Sequence, residues 1–191
     1  MDFIVEVSAR HVHLSQEHLD QLFGANSGLT FKKALSQPGQ FLSEERVDII
    51  GPKNTFEKVA ILGPVRGNTQ VEVSLTDCRY LGVEAPVRES GDIVNSSPIK
   101  IRGPKGSIEI PEGLIVAKRH IHMTPEDAIK FNVKDKDIVT VEIPRSRKLF
   151  FGETIVRVNK SYALAFHIDT DEGNAAGIGR EQIRGSIVQI N

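Results

Sequence analysis

Hydrophobic positions along the chain follow mostly a period of two. Runs in which Val, Ile and Leu alternate with polar residues, the pattern of a half-buried strand, cover residues 3–7, 46–50, 58–62, 69–75, 99–102, 107–110, 114–117, 138–143, 154–158 and 164–168. Turn-forming sequences punctuate them, GPKNTF after residue 50 and GPKG after residue 102 among others. The longer spacing of a helix shows in short stretches only. One begins after Ser15 and another after Thr124, both good N-caps. Pro125 occupies a first helical position, Leu14 is placed to staple onto Leu19, and Gly24 supplies a stop. Most of the molecule is therefore predicted to be strand.

The chain also repeats itself. RHVHLSQEHLDQL, residues 10–22, aligns without gaps on RHIHMTPEDAIKF, residues 119–131. In each copy a β-branched run leads into Arg-His-x-His and then into a helix, so two copies of one folding unit are implied. The expected fold is mainly β: two tandem small β-barrel domains related by internal duplication, each capped by short α-helices. The first spans residues 1–112 and the second residues 113–191, with the join near residues 111–113. Small barrels must hide their edge strands, and residues 1–9 are a candidate for exchange between the two.

Composition narrows the function classes. In 191 residues, Lys and Arg total 24 against 25 for Asp and Glu, a net charge of −1, so no overall field draws the protein to nucleic acid or to an anionic membrane. Its single cysteine, Cys78, can form neither an intramolecular disulfide nor a cysteine-type zinc cage. No apolar run approaches the roughly 18 residues of a membrane span, and the N-terminal MDFIVEVSARHVHLS lacks the features of a leader. A soluble protein of a reducing, cytoplasmic compartment is expected, with a homodimer as the default assembly.

Four of the six histidines form two His-x-His pairs, His11 with His13 and His120 with His122. On a strand, residues i and i+2 share a face, so each pair can offer two imidazoles to one ion. Neutral imidazole suits zinc best, with cobalt, nickel and iron as alternatives. A third ligand is sought on other strands: Glu72 points opposite to Val71 and Val73, and His167 opposite to Phe166 and Ile168. Both strands run into a Thr-Asp pair, Thr76-Asp77 and Thr170-Asp171. Aligned on those pairs, Glu72 and His167 differ by one residue, which requires a bulge or shift.

Arg66, in the turn GPVRGNT, is either a two-pronged grip for phosphate or carboxylate or an ordinary hairpin-tip arginine. Residues 169–177, DTDEGNAAG, are a small-residue segment that a ligand can approach, or a plain loop. Arg145, Arg147 and Lys148 read as a solvated basic turn, His18 as a surface residue, and Cys78 as a buried, inert thiol. No nucleophile elbow, Walker loop or dinucleotide-binding fingerprint is present.

These motifs have a known likeness. SARHVHLS and KRHIHMTP, with GPVRGNTQVEVSLTD between them and HIDTDEGNAA after them, resemble the PduL-type phosphate acyltransferases (phosphate propanoyltransferases) over residues 5–177. The resemblance implies a two-barrel fold with a two-zinc site between the halves. It also implies reversible transfer of an acyl group between coenzyme A, which enters as a substrate, and inorganic phosphate. Carried over by position, His11, His13 and Glu72 hold one zinc and His120, His122 and His167 the other, while Arg66 binds phosphate and is the catalytic residue; Asn174 is a further substrate-binding candidate. Microcompartment members of the family carry an amphipathic N-terminal extension, whereas only residues 1–4 precede the first strand motif here, which favours a cytoplasmic address. The rivals are a dinuclear zinc hydrolase, which releases free acid without phosphate, and a binding module whose metals are structural and fully enclosed by ligands.

Overall fold

In the computed structural model, residues 1–179 and 181–190 are described. The elements in chain order are β1 (Phe3–Ser8), β2 (His11–His13), α1 (Gln16–Phe23), β3 (Phe31–Ala34), β4 (Phe41–Ile50), β5 (Thr55–Gly63), β6 (Gln70–Glu72), α2 (Leu75–Leu81), β7 (Val87–Arg88), β8 (Ser97–Arg102), β9 (Ser107–Ala117), β10 (His120–Met123), α3 (Pro125–Phe131), β11 (Ile138–Ile143), β12 (Leu149–Val158), β13 (Ala165–Asp169), α4 (Thr170–Ala175) and β14 (Ile183–Ile190). The fold is mainly β and consists of two closed six-stranded barrels with a few short helices.

One barrel closes in the order β1-β13-β10-β12-β11-β14. The other closes as β9-β6-β2-β5-β4-β8, with β8 pairing both β4 and β9. Around each ring the pairings alternate identically: parallel for β1–β13 and β9–β6, antiparallel for β13–β10 and β6–β2, parallel for β10–β12 and β2–β5, and antiparallel for the remaining three. The sequence repeat is thus a repeat of topology. Closure pairs the rim strands of each ring and leaves β3 and β7 as short additions at the side of the barrel that contains β2.

Each copy lends its first strand away. β1 belongs to the unit built from Met1–Ala9, Ser36–Pro38 and the chain from Lys118 onward, while β9 belongs to the unit built from Arg10–Leu35 and Gly39–Ala117. β9 runs unbroken through residues 111–113, so the division falls after Ala117. Gly113 makes that continuity possible. Its φ is +138°, and a Cβ on it would lie 2.8 Å from the Thr69 carbonyl oxygen.

The alternating residues fill separate cores. Val12, Leu14, Ile61, Ile101 and Leu114 are fully buried in the barrel of β2, with Cys78 buried beside them; Phe3, Ile121, Val139 and Phe166 are fully buried in the barrel of β10. Each such side chain contributes about 1.5–3 kcal/mol. α1 begins at Ser15, whose hydroxyl accepts from the His18 N–H, and stops at Gly24 with φ +110°. Thr124 and Asp127 form a capping box for α3, with Pro125 in its first turn. No helix among the described residues is long and apolar enough to cross a membrane.

Two stretches differ from the sequence pattern. Alternation over 69–75 yields a strand only over Gln70–Glu72, because Ser74 caps α2 in a capping box with Asp77. Residues 169–177 are mostly helical, with Asp169 and Glu172 as the capping box of α4. Gly173 there serves packing: a Cβ would lie 2.8 Å from Val7 Cγ2.

Gly113→Ala is expected to destabilise the chain by about 1–3 kcal/mol through its strained backbone and the crowded Thr69 carbonyl. Urea unfolding monitored by circular dichroism checks this, and an unchanged midpoint contradicts it.

Candidate functional site

β2 lies between β5 and β6, and its antiparallel ladder with β6 sets His11 opposite Glu72, Val12 opposite Val71 and His13 opposite Gln70. Val12 and Val71 are fully buried in the core. Alternation therefore sends His11, His13, Gln70 and Glu72 together to the other face. β10 repeats this between β12 and β13, with His120 opposite His167 and Ile121 opposite Phe166. Glu72 and His167 thus hold the same place in the two ladders. No bulge separates them, because the frame is set by the helix caps: each lies two residues before an N-cap, Ser74 and Asp169. The two Thr-Asp pairs are not counterparts; Asp77 matches Glu172, both at the third helical position.

The ladders bring each trio together. In His11, His13 and Glu72, as in His120, His122 and His167, one ring nitrogen or carboxylate oxygen from each residue lies within 4.8 Å of the others, and either group could hold a metal ion. His11 Nε2 is 3.5 Å from Glu72 Oε2 and His13 Nε2 is 3.9 Å from Glu72 Oε1. The His120 and His167 rings stack at 5.1 Å between centroids, and Tyr162 stacks on His122 at 4.0 Å.

Tautomers follow from the neighbours. A carbonyl oxygen only accepts, so His13 donates Nδ1–H to Leu62 at 3.2 Å and His120 donates Nδ1–H to Lys118 at 2.8 Å. In the neutral ring this leaves the lone pair on Nε2, the tautomer metal-bound histidines adopt when a backbone carbonyl orients them. His13 is held neutral by burial first and by the charges of His11 and Arg66 next, which push its pKa down to about 3. Its Nε2 lone pair therefore faces a carboxylate oxygen, an acceptor against an acceptor that a cation would reconcile. The buried, nitrogen-rich donor sets fit zinc. His167 has Glu6 Oε2 3.5 Å from its Nδ1 and receives a hydrogen bond on Nε2 from the Gln37 amide at 3.3 Å.

Burial opposes ionisation of Glu72. The charge and hydrogen bonding of His11, then His13 and the Ser90 hydroxyl, outweigh it and hold the carboxyl well below the usual range. Ser90 Oγ and Gln70 Nε2 each donate to Glu72 Oε1 at 2.6 Å. Arg66 reaches the same cluster, donating from Nη1 to Ser90 Oγ at 3.4 Å. Its backbone N–H donates to the Leu14 carbonyl at 2.8 Å, tying the turn to the residue after His13.

The remaining candidates have the following surroundings. Asn174 is exposed on α4. His18 is half-buried rather than superficial, with Nδ1 2.7 Å from Thr69 Oγ1. Arg145 pairs with Glu181 at 3.1 Å and Lys148 with Glu142. Ser90, Gln37 and Tyr162 escape the sequence reading because loops deliver them. Gln70 carries a legible signal, standing two residues before Glu72 on the same strand face.

A family model described as phosphate propanoyltransferase matches residues 4–179. A phosphate propanoyltransferase of Clostridioides difficile is 52% identical over 176 residues, covering 92% of this chain and 84% of that protein. One from Listeria monocytogenes is 51% identical over 185 residues, covering 97% and 86%. One from Thermotoga maritima is 53% identical over 174 residues, covering 91% and 83%.

Ser90→Ala removes one donor from the buried Glu72 carboxylate and is expected to lower the stability of the metal-free chain by about 1–3 kcal/mol. Denaturant titration of the two proteins side by side measures the difference; coincident curves would show that the hydroxyl contributes nothing.

Proposed function

The chain belongs to the phosphate propanoyltransferase family, and on that premise we propose that it moves a short acyl group reversibly between coenzyme A and inorganic phosphate with two zinc ions per chain. His11, His13 and Glu72 take one ion, and His120, His122 and His167 take the other. The observation that carries the reading is the pair of equivalent, buried trios at matching ladder positions. Three protein ligands per ion leave coordination positions for substrate, as catalytic sites require. When bound, zinc supplies Lewis-acid polarisation of an oxygen and affinity for a thiolate.

The chain's own groups do the rest. Arg66 grips phosphate through parallel guanidinium hydrogen bonds and holds one phosphate oxygen toward the thioester carbonyl. Attack forms the C–O bond of the acyl phosphate as the C–S bond breaks. The sulfur leaves with the bonding electron pair, and the proton of hydrogen phosphate ends on the coenzyme A thiol. Ser90 steadies both Arg66 and Glu72. Transfer is direct in this reading: the single thiol, Cys78, lies on α2 with its side chain buried in the barrel core and forms no acyl-enzyme. A cytoplasmic homodimer is part of the same proposal, on the chain's size and composition.

Coenzyme A release from acetyl-CoA and propanoyl-CoA, measured on metal-analysed protein, is expected to require phosphate and to accompany two zinc ions per chain. Release without phosphate would identify a hydrolase instead. His122→Ala is expected to lower zinc content and abolish turnover. Arg66→Ala is expected to raise the phosphate KM by roughly 10-fold or more, the worth of a charged hydrogen bond, with Arg66→Lys recovering part; an unchanged KM removes Arg66 from the phosphate site.

A further inference from the structure

The arginine that opens each Arg-His-x-His motif has no task in the reading above, yet both copies use it in the same way. Arg10 Nη2 donates to Asp77 Oδ1 at 2.7 Å, and Arg119 Nη1 donates to Glu172 Oε1 at 2.7 Å. Both acceptors occupy the third position of the helix that follows the third-ligand strand. The other oxygen of each carboxylate is also committed: Asp77 Oδ2 accepts from the Ser74 N–H at 3.2 Å and Glu172 Oε2 from the Asp169 N–H at 3.1 Å. One carboxylate therefore joins the residue before the first histidine to the residue two past Glu72 or His167.

Aromatic rings back both guanidinium groups. Arg10 lies 4.0 Å over Phe56 and Arg119 lies 5.8 Å from the centre of Phe151, within cation–π range. Phe56 and Phe151 are themselves counterparts, each four residues before the residue paired with the first histidine, Ala60 or Ile155. The ladders these clamps flank are short: β2 and β6 span three residues each. A ladder so brief frays at its end unless something outside it fixes the register.

We propose that Arg10 and Arg119 are positioning residues that lock the third-ligand strand against its His-x-His strand, and so set the metal affinity of their own trio and not of the other. The inference rests on the trios being metal sites. Asp77 is almost wholly buried, with 5% of its side chain exposed, so removing Arg10 leaves a carboxylate without its cation at the mouth of the ladder.

Cobalt(II) titration of the full chain, followed by ligand-field absorption and by competition with a chelator, tests this. His120→Ala cripples one trio and is expected to leave a chain that binds one cobalt through the other. Adding Arg10→Met is expected to weaken that remaining ion about 10-fold or more, the usual cost of losing an outer partner, and to alter its absorption. Adding Arg119→Met instead is expected to change neither. Arg10→Lys, which keeps the charge, is expected to fall between parent and Arg10→Met, and it carries the test alone if the methionine variant does not fold.

The outcomes separate cleanly. No cobalt bound by the unmutated chain sinks the metal reading itself. Cobalt bound as tightly with Arg10→Met, or with Arg10→Lys where that variant stands alone, overturns the clamp. Equal weakening by Arg10→Met and Arg119→Met overturns it too, since a loss of general stability would act on both trios alike.

Discussion

The antiparallel register between each His-x-His strand and its neighbour is the constraint on which the rest of the molecule turns. With a side-chain period of two, Val12 and Val71 can enter the core only if His11, His13 and Glu72 leave it together. A slip of one residue would bury the histidines in a hydrocarbon interior and expose the valines. Core packing and site assembly are thus one event. The same pattern repeats around β10, where Ile121 and Phe166 play this part for His120, His122 and His167.

Burial then determines the protonation chemistry. A desolvated imidazole between other basic groups stays neutral, as His13 does, and a backbone carbonyl chooses which nitrogen keeps the hydrogen. The trios are not electrostatic twins. Glu72 adds a carboxylate, braced by Gln70 and Ser90 and linked through Ser90 to Arg66, whereas His167 stands between Gln37 and Glu6. The two frames match in pairing, and the difference at one ladder position, Glu72 in one and His167 in the other, makes them different in charge.

Exchange of the leading strands binds the copies at the level of the chain. β1 completes the ring of β10 to β14 through parallel pairing with β13 and antiparallel pairing with β14, and β9 does the same for the other ring. Neither copy, taken as a continuous segment from its first strand, contains its own closed barrel. That arrangement places Glu6, a residue of the first copy, next to His167 of the second.

Much of this is legible in the sequence. The two Arg-His-x-His repeats, the caps at Ser15 and Thr124, and the predominance of strand are written in local spacing, because period, cap chemistry and duplication are properties of neighbouring residues. The trimming of the 69–75 run to three residues and the helix at Thr170–Ala175 were hidden, since capping by Ser74 and Asp169 competes with alternation and wins. So were Ser90, Gln37 and Tyr162, which reach the trios across loops that leave no periodic trace. The sequence by itself determined the motif, its duplication and the residue types at each strand face; only the tertiary structure decided that Glu72 and His167 are equivalents, which strand closes which barrel, and which carboxylate each arginine holds, because those depend on pairings between residues far apart in the chain.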